Sequence, residues 1–363
     1  VNFINATIAP VRELVIVIAD LYLPRGEDAQ LLRAGLTAGS APGIEFAARF
    51  GEHAQLADGW RAWLARRLGR GDLARLAPAR IAAAMCAAEP EAVGGVAATA
   101  WIATPVQLLA GLTRVHLPAH GILRLPAAET ASLAGGFRRA FGGSGVALYP
   151  LPCGELLLFT AGMSAVATLE PARAVGADLA QSLPQGPQAA PLRRLGAEIE
   201  MWLHGEAVNA ARTQRGEPPV TSLWLWGSAA APGAALPAAA GAVAAPRTAR
   251  AFGTDAWLEG LSRILGSACQ ALPERLHIGT DPADLEVWVL EVRQELAVAG
   301  GGASLAQALA QLDVRFISPA LAALKGRLAD SLTLLANDTR VTLTPRSGRR
   351  FWRRARRGGG GFL

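Results

Sequence analysis

Asp20 closes the apolar run Leu14-Val15-Ile16-Val17-Ile18-Ala19, and a carboxylate at that place can ligate a divalent metal or cap the turn that follows. Ser40 stands ahead of a helix that starts near Gly43, where its hydroxyl can serve as a nucleophile or simply mark the helix entry. Asn209 and Arg212 lie three apart on a predicted helix. A guanidinium there suits two-pronged binding of phosphate or carboxylate, against a solvated helix face or an internal ion pair. Of the five histidines, His116 and His120 have the spacing of a helical metal pair, but Pro118 between them opposes the helix. His204 reads as a hydrogen-bonded helix residue. The glycine pairs Gly135-Gly136 and Gly142-Gly143 lack the strand-to-helix context of a dinucleotide site.

The elements that must hold these residues alternate between strand and helix. Continuous rather than alternating hydrophobicity from Leu14 to Ala19 predicts a strand buried on both faces, as in a parallel sheet covered by helices. Functional groups of such sheets gather at the carboxyl ends of the strands, where Asp20 sits. Helices are predicted over 44–50, 58–68, 76–88 and 127–141, with a short piece around 29–34. A hairpin is predicted over 146–149 and 155–160, a long amphipathic helix over 192–215, and strands over 223–226, 285–292 and 313–317. This pattern predicts an α/β fold.

Composition narrows the class further. Hydrophobic residues make up 51% and charged residues 18%, with much of the apolar share alanine, and no run reaches the roughly 18 apolar residues of a membrane span. Residues 1–10 lack the basic and apolar regions of a secretory signal, so a cytoplasmic setting is expected. The three cysteines, Cys86, Cys153 and Cys269, are odd in number and far apart, which fits reduced thiols. Seven arginines between Arg346 and Arg357 exceed the net charge of +6, leaving the rest of the chain near −1. Basic character therefore belongs to a tail, and nucleic acid is not an expected partner of the folded part.

The segments Glu198 to His204, Val208 to Arg212, Arg215 to Pro219 and Ser222-Leu223-Trp224-Leu225-Trp226-Gly227 together resemble the helix–turn–strand signature of archaeal-type cofactor-independent phosphoglycerate mutases, and more closely their proteobacterial RpfE-type regulatory relatives. The resemblance implies an alkaline phosphatase-like α/β core, with a mostly parallel sheet covered by helices and an inserted or second, smaller α+β domain. It also implies two divalent ions, manganese or zinc, and a serine that carries the phosphoryl group. Asp20 matches the family's first metal ligand, and Asn209 with Arg212 matches a substrate-side motif. The chain departs from that pattern at His204-Gly205-Glu206-Ala207-Val208-Asn209, where relatives carry a second histidine. It departs again at Thr221, where they carry Asn, and at Thr104-Pro105-Val106-Gln107-Leu108, where they have Asp and His. No Asp-His pair stands in the C-terminal half to supply a second ligand set.

The expected organisation is a first part of the core over 1–95, an α+β region over 96–227, an Ala/Gly/Pro linker over 228–250, the rest of the core over 251–345 and a basic tail over 346–363. The expected function is a phosphoglycerate mutase-like protein whose metal site is degenerate, with a regulatory or ligand-binding role. The alternative is an active metal-dependent mutase or phosphomonoesterase of the 2,3-bisphosphoglycerate-independent kind. Its sites would be Ser40 (catalytic), Asp20 (metal), and Asn209 and Arg212 (substrate). The cofactor would be manganese, zinc or none, and the ligand a small phosphorylated molecule.

Overall fold

The computed structural model describes residues 11–22, 40–86, 98–111, 114–229, 246–279, 281–299 and 304–349. The short helix expected around 29–34, most of the linker and the arginine tail beyond 349 lie outside the described residues. The described strands are β1 (Val11–Ile18), β2 (Glu52–Gln55), β3 (Ala98–Val106), β4 (Leu109–Ala110), β5 (Val115–His116), β6 (Val146–Pro150), β7 (Leu156–Ala161), β8 (Ser222–Ala229), β9 (Ala249–Phe252), β10 (Cys269–Gln270), β11 (Ala283–Leu290), β12 (Ala329–Ala336) and β13 (Thr339–Leu343). Among the described residues, no helix is long and apolar enough to cross a membrane.

The chain divides into two compact units of nearly equal length: Val1–Ala74, Ala239–Thr254 and Ser267–Leu363 make the first, and Arg75–Ala238 with Asp255–Gly266 the second. The second is thus an insertion, and it extends to include residues 75–95 and the helix Ala256–Ile264. Gly260 explains why that helix stays with it. A Cβ there would stand 2.2 Å from the Ile81 carbonyl oxygen, so only glycine allows the helix to lie so close to Pro78–Ala82.

In the first unit a mostly parallel sheet runs β10-β9-β11-β1-β12-β13-β2. β1 pairs in parallel with β11 and β12 on either side, and β13 and β2 add an antiparallel margin. Leu14, Val15, Ile16 and Val17 are all fully buried, as continuous hydrophobicity requires of a central strand covered on both faces. One face packs on Ile44, Leu309, Leu312, Phe316 and Leu321, and Trp288 stacks on Phe252 at 4.1 Å between ring centroids.

Residues 313–317 are a correction to the sequence reading. Asp313–Ile317 is a π-helical turn, continuous with the helices Leu305–Leu312 and Ser318–Lys325, not a strand. Its β-branched and aromatic residues suit a strand locally, but the turn buries Phe316 and Ile317 in the core and turns Asp313 inward.

The second unit holds the antiparallel sheet β6-β7-β3-β8, with every residue of β3 buried. One face is covered by Ala127–Phe141 and Ala190–His204, through Leu133, Phe137, Leu195 and Ile199. The single long helix expected over 192–215 is in fact two, Ala190–His204 and Ala207–Gln214. Gly205 caps the first, and Glu206, in an extended conformation, starts the second. The helix expected over 76–88 is likewise shorter: Pro78–Ala82 passes into a 3-10 turn, Ala83–Met85.

Candidate functional site

Asp20 lies just beyond the C-terminal end of β1, as the sheet logic requires, and its carboxylate faces the head of another helix. Oδ1 accepts from the Val292 N–H at 2.7 Å and Oδ2 from the Arg293 N–H at 2.9 Å. These are the first residues of the helix Val292–Ala299, so Asp20 caps a helix that follows β11, its parallel neighbour. Arg293 in turn holds Glu291 at 2.7 Å. Burial pushes the Asp20 pKa above the usual carboxylate value, and it outweighs the opposing pull of Arg293 and the two backbone N–H donors.

Ser40 stands two residues before the helix Pro42–Phe50, and its Oγ is buried without a hydrogen-bond partner among the described residues. The head of that helix is already neutralised. Asp313, fully buried, accepts from Gly43 N at 3.1 Å and Ile44 N at 2.7 Å, and Ser318 Oγ donates to it at 2.8 Å. Free N–H groups at a helix start are a ready anion site, and here a protein carboxylate fills it.

Asn209 and Arg212 are brought together in the second unit, and both face inward. Asn209 Nδ2 donates to Leu203 O at 2.7 Å and Val220 O at 2.8 Å, while its Oδ1 accepts from Val220 N at 2.7 Å. It therefore ties the end of one helix to the strand approach that leads into β8. Arg212 donates to Pro218 O and to Glu129, each at 2.7 Å, with Glu217 at 3.3 Å. Its side chain is 6% exposed, which makes it an internal clamp. The hollow beside Asn209 is bounded by Glu200 and Glu206 as well as His204 and Thr221, a charge set that disfavours an anionic ligand.

Among the described residues, no group of three or more His, Cys, Asp and Glu side chains is arranged to hold a metal ion. Both oxygens of Asp20 are engaged by backbone donors, and His53 Nε2 bonds to Ala48 O. The donors described do not fit the two-ion centre that the resemblance implies.

Two acids, Asp313 and Glu259, escaped the sequence reading, and Thr104 was read there only as a departure from the family pattern. Asp313 had one signal, a lone carboxylate in an apolar stretch. Thr104 is polar and buried: it donates to the buried Glu155 at 2.9 Å and accepts from Trp226 Nε1 at 2.9 Å. Glu259 has one buried oxygen without a hydrogen-bond partner among the described residues. Burial first, then Asp255 and Glu155, raises its pKa to about 7 against the pull of Arg124. No local pattern marks it.

No family model matches the chain, and no curated protein matches it. Among solved structures it is similar to the cofactor-independent phosphoglycerate mutase from Thermoplasma acidophilum DSM 1728, at 15% identity over 92% of this chain and 90% of that one, with a TM-score of 0.35. It is also similar to the PH0037 protein from Pyrococcus horikoshii, at 11% identity over 93% and 88%, with a TM-score of 0.45. Likenesses at these scores do not by themselves fix a family. The mostly parallel α/β sheet with an inserted antiparallel unit stands on the strand pairings.

Proposed function

We propose that this chain is a relative of the cofactor-independent phosphoglycerate mutases, of alkaline phosphatase-like fold, in which the catalytic groups have been absorbed into the framework and the fold serves a regulatory or ligand-binding role. The observation that carries this reading is Asp20. The one carboxylate at the end of the central strand spends both oxygens on the head of the Val292–Ala299 helix. The use of Asp313 at the helix beside Ser40, and the inward engagement of Asn209 and Arg212, point the same way.

Chemically, a mutase of this kind needs metal-polarised phosphoryl oxygens and a nucleophile with a nearby anion cradle. Ser40 stands at a helix whose first N–H groups are already bonded, so no cradle is left there for a transferred phosphoryl group. The test is the interconversion of 3-phosphoglycerate and 2-phosphoglycerate, assayed with the full chain in manganese or zinc. The reading expects no turnover above a buffer control. Turnover that disappears in both Asp20→Ala and Ser40→Ala would restore the active mutase.

A further inference from the structure

Strand β8 forms one margin of the second unit's sheet, and among the described residues part of its outer edge is without a backbone partner. The parity of β3 settles which groups point outward. Pro105 O accepts from Leu123 N and Gln107 N donates to Gly121 O, so these odd-numbered residues face away from β8. Thr104 and Val106 face β8, opposite Trp224 and Ser222. Leu223 and Leu225 therefore turn their N–H and C=O groups to the free side. Further along, the outward Gly227 N–H is met by Thr168 Oγ1 at 3.1 Å. Among the described residues, the N–H groups of Leu223 and Leu225 have no such cover.

Leu223 and Leu225 open into a cleft of about 210 Å³. Leu183, Leu192 and Trp224 give it apolar walls, and Gly196 widens it, since a Cβ there would meet nothing within 4 Å.

Charge is arranged along the cleft. Arg193 and Glu200 both line it from one helix, seven residues apart, which separates them by about 10 Å along the axis. An extended chain with its two charged ends four residues apart, and so on one face, spans about 13 Å, within reach of these two long side chains. Arg193 donates to Pro184 O at 2.7 Å through one guanidinium nitrogen, and the Glu200 carboxylate makes no ion pair or hydrogen bond among the described residues.

We propose that this cleft takes an extended segment of another protein as an added strand on β8. Its backbone would bond to Leu223 and Leu225, its apolar side chains would rest on Leu183 and Leu192, an acidic end would meet Arg193 and a basic end Glu200. Backbone pairing supplies affinity in this mode of recognition, and the side-chain pockets supply specificity. A second copy of the chain is a poor occupant, because Leu223 is only 3% exposed and two edges recessed this far cannot approach to strand spacing. The inference is independent of whether the first unit performs mutase chemistry.

The probe is the peptide acetyl-Glu-Val-Leu-Val-Lys-amide, titrated into the ¹⁵N-labelled full chain while the amide signals and hydrogen exchange of Leu223 and Leu225 are followed. Saturable shifts at both amides are expected, with exchange slowed about tenfold. The fully N-methylated peptide should bind at least tenfold more weakly, and so should the parent peptide to Gly196→Leu, which fills the cleft. Equal binding by the N-methylated peptide, unchanged binding to Gly196→Leu, or no shift at either amide overturns the proposal. Protection of both amides that appears only as the chain dimerises, without peptide, also overturns it and assigns the edge to a second copy.

Discussion

The carboxylate of Asp313 accepts a hydrogen bond from the backbone N–H of Ile44 at 2.7 Å, across 269 residues of chain. The same side chain takes the Gly43 N–H, so one buried acid neutralises the start of the helix that follows Ser40. Removing it would leave two buried donors without partners. Asp313→Ala is expected to cost about 2–4 kcal/mol, the range for lost caps and stranded buried donors, read as a lower denaturation midpoint. A variant as stable as the parent would show that the helix start does not depend on Asp313.

Asn209→Ala should destabilise the second unit by about 2–3 kcal/mol, because three hydrogen bonds converge on that side chain. Arg212→Ala should cost about 3 kcal/mol, since it removes the buried bond to Pro218 O and leaves Glu129 only the more exposed Arg215 as a cation. Both effects are measured by urea denaturation. Unchanged stability together with weaker binding of a phosphorylated ligand would instead support the substrate-side role.

Glu259 makes the stability of the second unit depend on pH. Its folded pKa, about 7, lies above the ordinary value of 4.5, so the folded state holds a proton that the unfolded chain has released between those values. The stabilisation is complete below pH 4.5, falls as pH rises from 4.5 to 7, and levels off above. Glu259→Gln should abolish that part of the slope and be more stable than the parent at pH 8. Urea midpoints at pH 5, 6, 7 and 8 check this; parallel curves for parent and variant would contradict it.

Much of the frame was legible because it follows from local pattern. The buried run Leu14–Ala19 marked a central parallel strand, and the helix Ala127–Phe141 and the hairpin of β6 and β7 stand where their residues predict. The failures came where distant contacts overrule local preference. Asp313-Val314-Arg315-Phe316-Ile317 has strand-like composition but continues a helix, because Asp313 is needed at Gly43. The break at Gly205 depends on Asn209 bonding back to Leu203. The position of Asp20 at the end of β1 could be read, but its partner Val292 is 272 residues away, and no spacing rule reports such a contact.

The role of Asp20 as a helix cap predicts its own substitution pattern. Asp20→Asn keeps one acceptor and should cost about 1 kcal/mol, and Asp20→Ala about 2 kcal/mol, both in the absence of any added metal. Thermal denaturation in a chelator measures these values directly. Equal stability of all three proteins in chelator would remove the capping role.

The most direct measurement is the metal content of the purified chain after equilibration with manganese or zinc and removal of the excess, for the parent and for Asp20→Ala. The account predicts less than one ion retained per chain and no difference between the two proteins. Two ions retained by the parent and lost from Asp20→Ala would contradict it, and would place Asp20 in a working metal centre.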